Sequence, residues 1–309
     1  GAGVAFLLEY LDDTIKTPLD AKRALGIHVL GGLPRHDEGE VLVTVERPQG
    51  PIAEAFRKLR TSIQFTDLDH PMRTLLVTSP MPTDGKSFVA ANLAAAIAQS
   101  GKSVILVDSD LRHPVQHRAF DLPKYPGLRE GLIAGQDVTG ERGENEAVVP
   151  PDLLQATEVE GLHILAAGEH TPNPAEVLGS QTFQRFAARL AEQVDYVIFD
   201  SPPVLAVTDA VVLSHMTDGV ILVLDCGQTR IPAAAQAMER LRGVGSRVLG
   251  AVLNRVPASG DGYYYYQYYY GGEDEGTQGW FNGLLGKIWP RKRGRSRKRR
   301  KRRSNGQGR

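Results

Sequence analysis

The chain has 309 residues, 41% of them apolar and 23% charged, the profile of a soluble globular protein with room for one large or two ordinary domains, and not that of a disordered or fibrous chain. One cysteine excludes a disulfide scaffold and a cysteine-built zinc site and suits a reducing, cytosolic setting, and no stretch reaches the ~18 apolar residues of a membrane span. The formal net charge of zero hides an asymmetry: residues 291–309 carry 12 Lys/Arg and no acid, so residues 1–290 carry 24 basic against 36 acidic groups, an acidic body with a basic tail suited to an anionic partner.

In chain order, Gly1 to Leu8 are apolar but too few for a span or a signal peptide. They read as a buried strand, an expression scar or the end of a membrane span. Residues 9–48 are polar and broken by Thr17-Pro18 and Leu33-Pro34, and read as a linker with one short helix near Leu19–Leu25. Ile52, Phe56, Leu59 and Ile63 predict an amphipathic helix with Glu54, Arg57 and Arg60 on its other faces. Apolar runs follow at Leu75–Val77, Val104–Val107, Leu162–Leu165, Tyr196–Phe199, Val220–Leu224 and Val248–Leu253, with helical stretches between them, one from about Lys86 to Gln99. Continuous runs suit strands buried on both faces, and the helices suit parallel crossovers. The expected fold is a doubly wound, mostly parallel α/β domain over residues 49–258. Residues 259–279 break the pattern with Gly and seven tyrosines, Tyr263, Tyr264, Tyr265, Tyr266, Tyr268, Tyr269 and Tyr270, and read as a flexible tail. Residues 280–309 form an amphipathic segment and a polybasic end.

The loop after the first run reads Ser79-Pro-Met-Pro-Thr-Asp-Gly85-Lys86-Ser87. Its last three positions match the phosphate-binding pattern G-x-x-x-x-G-K-[ST], whereas Pro80 stands where the first Gly belongs. Between a strand and a helix, this loop would present free N–H groups to phosphate, with Lys86 reaching the β/γ-phosphates and Ser87 ligating Mg²⁺. The bland alternative is an ordinary turn with an exposed lysine. Two acidic sites, Asp108-Ser-Asp110-Leu-Arg112 and Asp200-Ser-Pro-Pro203, follow buried strands and so fall on the same carboxyl rim. Each aspartate alone could be a helix cap, but together the motifs point to nucleotide with Mg²⁺. His113 and His117 lie at i, i+4 but lack further ligands, and read as a solvated pair. Cys226 reads as a small core residue.

These motifs resemble the bacterial tyrosine kinases of capsule and exopolysaccharide synthesis, the cytoplasmic kinase domains of polysaccharide co-polymerases. The resemblance rests on Ser79-Pro80-x-Pro82-x-x-Gly85-Lys86-Ser87, on Asp108-x-Asp110-x-Arg112, on Phe199-Asp200-Ser201-Pro202-Pro203 and on the tyrosine cluster. Glu54-x-x-Arg57-x-x-Arg60 is similar to the family's oligomerisation helix, and Asn173-Pro174-x-Glu176 to a further family segment. It implies a P-loop NTPase fold of the deviant Walker type that binds ATP and Mg²⁺. Thr83, Asp84, Gly85, Lys86, Ser87, Phe88 and Arg112 would hold the nucleotide, and Asn254 would read adenine. Ser87, Asp108 and Asp200 would hold the metal. Asp108 would be the base or metal-positioning group for the tyrosine hydroxyl, with Asp110 and Asp200 supporting the metal and its water. It further implies a homo-oligomeric ring in which each subunit phosphorylates a neighbour's tyrosine tail, coupled to a transmembrane co-polymerase region at the inner face of the bacterial membrane. A phosphotyrosine adds nearly two negative charges, so a multiply phosphorylated tail on an acidic body gives a release mechanism.

The chain's end departs from that pattern. Trp280, Phe281, Leu284, Leu285, Ile288 and Trp289 fall on one helical face, and residues 291–303 hold 11 Lys/Arg. An apolar face with a polybasic run suits an anionic membrane surface. Docking of the apolar face on the catalytic domain, or nucleic-acid binding by the basic run, are the alternatives. The rival functions are a non-kinase ATPase switch on the same fold, of the kind that partitions plasmids or positions septa, and a nucleotide-binding scaffold without catalysis.

Overall fold

Eight strands, β1 (Val29–Pro34), β2 (Thr74–Thr78), β3 (Val104–Asp108), β4 (Gln155–Ala156), β5 (Leu162–Leu165), β6 (Tyr196–Asp200), β7 (Gly219–Asp225) and β8 (Val248–Val256), lie side by side in the order β1-β8-β7-β2-β6-β3-β5-β4. Only the short β4 pairs antiparallel. This computed structural model describes residues 12–36, 39, 41–66, 72–137 and 151–257. The tyrosine cluster, the amphipathic segment and the polybasic run lie outside the described residues.

Both faces of the sheet are covered, which is why its strands read as unbroken apolar runs. Leu76, Ile105, Phe199 and Leu222 point into one core with α1 (Pro18–Leu25), α8 (Gln181–Gln193), α9 (Asp209–Met216) and α10 (Ile231–Gly243). Alternate residues Leu75, Val77, Leu106 and Ile221 point into the other, with α3 (Pro51–Gln64) and α4 (Lys86–Ala98). The short helices α2 (Val43–Glu46), α5 (Gln116–Ala119), α6 (Leu128–Asp137) and α7 (Pro174–Leu178) complete the order.

Helix α3 buries Ile52, Phe56, Leu59 and Ile63, as its periodicity predicts. Helix α4 has no polar stripe beyond its first turn: every residue from Val89 to Ala98 is buried. It lies between the sheet and α3, and its alanines leave room on both sides. Asn92, the one polar residue in that run, accepts from the backbone and hydroxyl of Thr44 at 3.0 Å and donates to the Val41 carbonyl at 2.7 Å.

The segment read as a linker contains the expected helix, α1, capped reciprocally by Thr17 and Asp20. It also contains β1, which is a correction to that reading. Val-Leu-Gly-Gly-Leu-Pro looks like a turn, yet it forms the sheet's edge strand against β8, where a terminal proline is tolerated. The strands approach so closely that a Cβ on Gly250 would lie 2.6 Å from the His28 carbonyl oxygen. Cys226 is half-buried rather than deep in the core, and donates to the Lys16 carbonyl at 3.2 Å; burial pushes its thiol up to about 11. Ser180 caps α8 by accepting from Phe183 N–H, so this end of the Asn173 segment has a structural use.

Candidate active site

The parallel strands β2, β3 and β6 end at one rim, and the three motifs meet there. The loop after β2 folds back on itself before α4 begins. Ser79 Oγ donates to the Met81 carbonyl at 2.7 Å, and Met81 N–H donates to Asp84 Oδ2 at 2.9 Å. Gly85 then turns the chain at φ 94, a conformation that side chains resist.

Asp84 therefore braces the loop. Its other oxygen accepts from Thr229 Oγ1 at 3.0 Å, and burial pushes its pKa up to about 6 against the hydrogen bonds that lower it. Asn254, expected at adenine, is fully buried under the loop and donates to the Asp84 carbonyl at 3.0 Å. Its amide supports the backbone of the turn. Its neighbour Arg255 donates to the Thr83 carbonyl at 3.0 Å and pairs with Asp225 at 2.6 Å. Thr83 and Arg255 both hold positive φ, 69 and 54, so two strained residues sustain one another across this contact.

Lys86 points back into the rim. Its Nζ lies 3.0 Å from Asp110 Oδ2, 3.1 Å from Ser87 Oγ and 3.8 Å from Asp200 Oδ1. Burial works against its charge, but Asp200 and Asp110 outweigh that and hold its pKa above the ordinary value. Asp108 and Asp200 stand opposite each other on paired strands, both fully buried. Burial, then the charge of Asp200, pushes Asp108 well above the usual carboxylate range. Burial also raises Asp200, and the charge of Lys86 opposes the rise. Asp110 accepts from His113 N–H at 3.0 Å, which closes its loop.

Arg112, at the end of the Asp108 motif, has a partner within the chain. It forms a two-pronged ion pair with the buried Asp209, at 2.9 and 3.1 Å. It ties the loop after β3 to the start of α9. His113 and His117 share no ligand set: among the described residues no three or more His, Cys, Asp or Glu side chains are grouped to hold a metal.

A cleft of about 650 Å³ opens beside the loop, lined by Thr83, Gly85, Lys86, Ser87 and Phe88 and by His36, Gln116, Arg118 and Arg255. The Phe88 ring stacks on His36 with centroids 3.9 Å apart. The last four of these lining residues escape motif reading because they come from three separate places, His36 after β1, Gln116 and Arg118 on α5, and Arg255 on β8; Asn254-Arg255 at a strand end was the one visible signal.

On α3, Glu54 accepts from Arg57 Nε at 2.7 Å, and Arg57 also donates to the Pro48 carbonyl. Arg60 is tied to α4 through the Ala96 carbonyl at 2.9 Å. The three side chains thus make contacts within the chain, with Glu54 and Arg57 still half-exposed.

The fold and the loop define a P-loop NTPase that binds nucleotide. The ParA family model, described as the NUBPL iron-transfer P-loop NTPase, matches residues 72–259. The tyrosine-protein kinase YwqD of Bacillus subtilis is 38% identical over 69% of this chain and 85% of its own length. The tyrosine-protein kinase ptk of Acinetobacter johnsonii is 31% identical over 85% of this chain but only 36% of its own. The solved BceF tyrosine kinase domain is 34% identical with a TM-score of 0.69, covering 79% of this chain and all of that one. The chain belongs to the bacterial tyrosine-protein kinase family. Among the described residues no helix is long and apolar enough to cross a membrane.

Proposed function

We propose that this chain is an ATP- and Mg²⁺-dependent protein-tyrosine autokinase. It transfers the γ-phosphoryl group of ATP to tyrosines of the cluster Tyr263–Tyr270 on a neighbouring subunit, and so governs the polymerisation and export of capsule or exopolysaccharide at the inner face of the bacterial membrane. The observation that carries the reading is the convergence of Lys86, Asp108, Asp110 and Asp200 on one rim beside the loop cleft.

The donor set suits Mg²⁺. Asp108 Oδ1 and Asp200 Oδ1 are buried without a hydrogen bond, and Ser87 lies beside Lys86. Mg²⁺ is typically held by one or two carboxylates plus substrate phosphates, so a larger acidic cluster is not needed. Ser87, Asp108 and Asp200 hold the ion, which when bound neutralises charge on the transferring phosphoryl group. Lys86 leaves Asp110 for the phosphates. The N–H groups at the start of α4 orient them. The phosphorus–oxygen bond to ADP breaks, the bond to the tyrosine oxygen forms, and Asp108 takes the phenolic proton or orients the hydroxyl. Positioning and charge neutralisation supply most of the catalysis.

The chain assembles as a ring through the Glu54–Arg57–Arg60 face of α3, associates with a transmembrane co-polymerase region, and touches the anionic membrane through residues 280–303. Incubation of the chain with MgATP, followed by mass spectrometry, tests the reading. Phosphate on Tyr263–Tyr270 that vanishes in Lys86→Ala is the expected result. ATP hydrolysis with no phosphotyrosine overturns it in favour of an ATPase switch.

A further inference from the structure

Gln116 belongs to no motif, yet it joins three of them. It is fully buried. Its Nε2 donates to Asp200 Oδ2 at 2.7 Å and to the Ser87 carbonyl at 3.1 Å. Its backbone N–H, together with that of Val115, donates to Asp108 Oδ2 at 2.9 Å. One residue thus engages the first turn of α4, the end of β3 and the end of β6.

The pattern of what remains is as informative. Each carboxylate has its Oδ2 committed, while Asp108 Oδ1, Asp200 Oδ1 and Gln116 Oε1 are all buried without a hydrogen bond. Buried acceptors are ordinarily satisfied, so three left without a hydrogen bond on residues joined through Gln116 mark a place for a ligand that supplies donors or positive charge. A hydrated hard cation does both. Lys86 faces Asp200 Oδ1 at 3.8 Å, beyond hydrogen-bond distance, and gives its hydrogen bonds to Asp110 and Ser87.

We infer that Gln116 is a positioning residue for the metal of the nucleotide complex. By holding the Oδ2 ends of Asp108 and Asp200 it turns both Oδ1 atoms, and its own Oε1, toward the metal and its water shell. The inference rests on the nucleotide–metal reading of this site and adds the residue that organises it. Groups that orient metal ligands through hydrogen bonds are part of metal affinity itself.

The test measures metal binding rather than turnover. Mn²⁺ is titrated into the ADP complex of the full chain and free Mn²⁺ is followed by electron paramagnetic resonance. Gln116→Met and Gln116→Leu keep roughly the volume and remove the side-chain hydrogen bonds to Asp200 and Ser87, while the backbone bonds to Asp108 stay. The expected result is an Mn²⁺ Kd raised roughly 10- to 100-fold, with ADP affinity in EDTA held within about threefold. An unchanged Mn²⁺ Kd overturns the inference. So does loss of ADP binding in EDTA by both variants, which makes Gln116 a purely structural residue. A wild-type ADP complex that binds no Mn²⁺ instead overturns the underlying nucleotide–metal reading, and the inference with it.

Discussion

Gly85→Ala tests whether the phosphate loop is held from below. A Cβ on Gly85 would lie 2.0 Å from Asn254 Nδ2 and 3.2 Å from its Cγ, inside any contact distance. Asn254 must therefore move, and its bond to the Asp84 carbonyl breaks. Two effects combine. Holding an alanine near φ 94 costs about 1–2 kcal/mol. Leaving a buried amide and carbonyl unpaired costs about 1–3 kcal/mol. The single substitution is expected to destabilise by about 2–5 kcal/mol. Asn254→Ala alone loses the same hydrogen bond and costs about 1–3 kcal/mol. In the double variant that bond is lost only once and the clash is gone. The double variant is thus expected to cost less than the two singles together by about 1–3 kcal/mol. Urea unfolding of the four proteins measures this directly. Effects that add to within about 0.5 kcal/mol would refute the reasoning, as would a Gly85→Ala cost below about 1 kcal/mol.

Three further outcomes follow from the same geometry. Asp84 is shifted from 3.8 to about 6 by burial, so between those values the folded state binds more protons than the unfolded one and stability falls as pH rises. Asp84→Asn removes that penalty: it should gain on wild type across this window, by up to roughly 3 kcal/mol, and match its slope below pH 4; parallel stability curves at all pH values would sink this. Arg57→Glu reverses a half-exposed charge and is expected to give monomers by light scattering, whereas reversal of Arg60 also disturbs α4 through the Ala96 carbonyl; an oligomer that persists in Arg57→Glu rules out this face as the ring contact. The full chain is expected to float with anionic vesicles at physiological salt, and a chain ending at residue 279 is not; equal behaviour of the two would remove the membrane role of the tail.

Some of the site was legible because its chemistry is local. Gly85-Lys86-Ser87 follows a strand and opens a helix, and Asp108 and Asp200 each end an aliphatic run, so their meeting on one rim follows from the parallel sheet alone. The six apolar runs became strands for the same reason. Val29–Pro34 did not reveal itself, since its glycines and proline carry turn signals and only the pairing with β8 makes it a strand. Arg112 and Asn254 were read into the site by motif, and their partners within the chain, Asp209 and the Asp84 carbonyl, lie too far off in sequence for spacing to reveal them.

The sequence by itself determined the class of fold, the phosphate loop and the acidic strand ends, because periodicity and strand-end position are local properties of the chain. Only the tertiary structure decided how those groups are used. It set Lys86 against Asp110, made Asp84 a brace, and brought Gln116 between Asp108 and Asp200. Those contacts join residues from separate loops. Which buried oxygens are satisfied and which remain open depends on that packing in space, and no spacing along the chain encodes it.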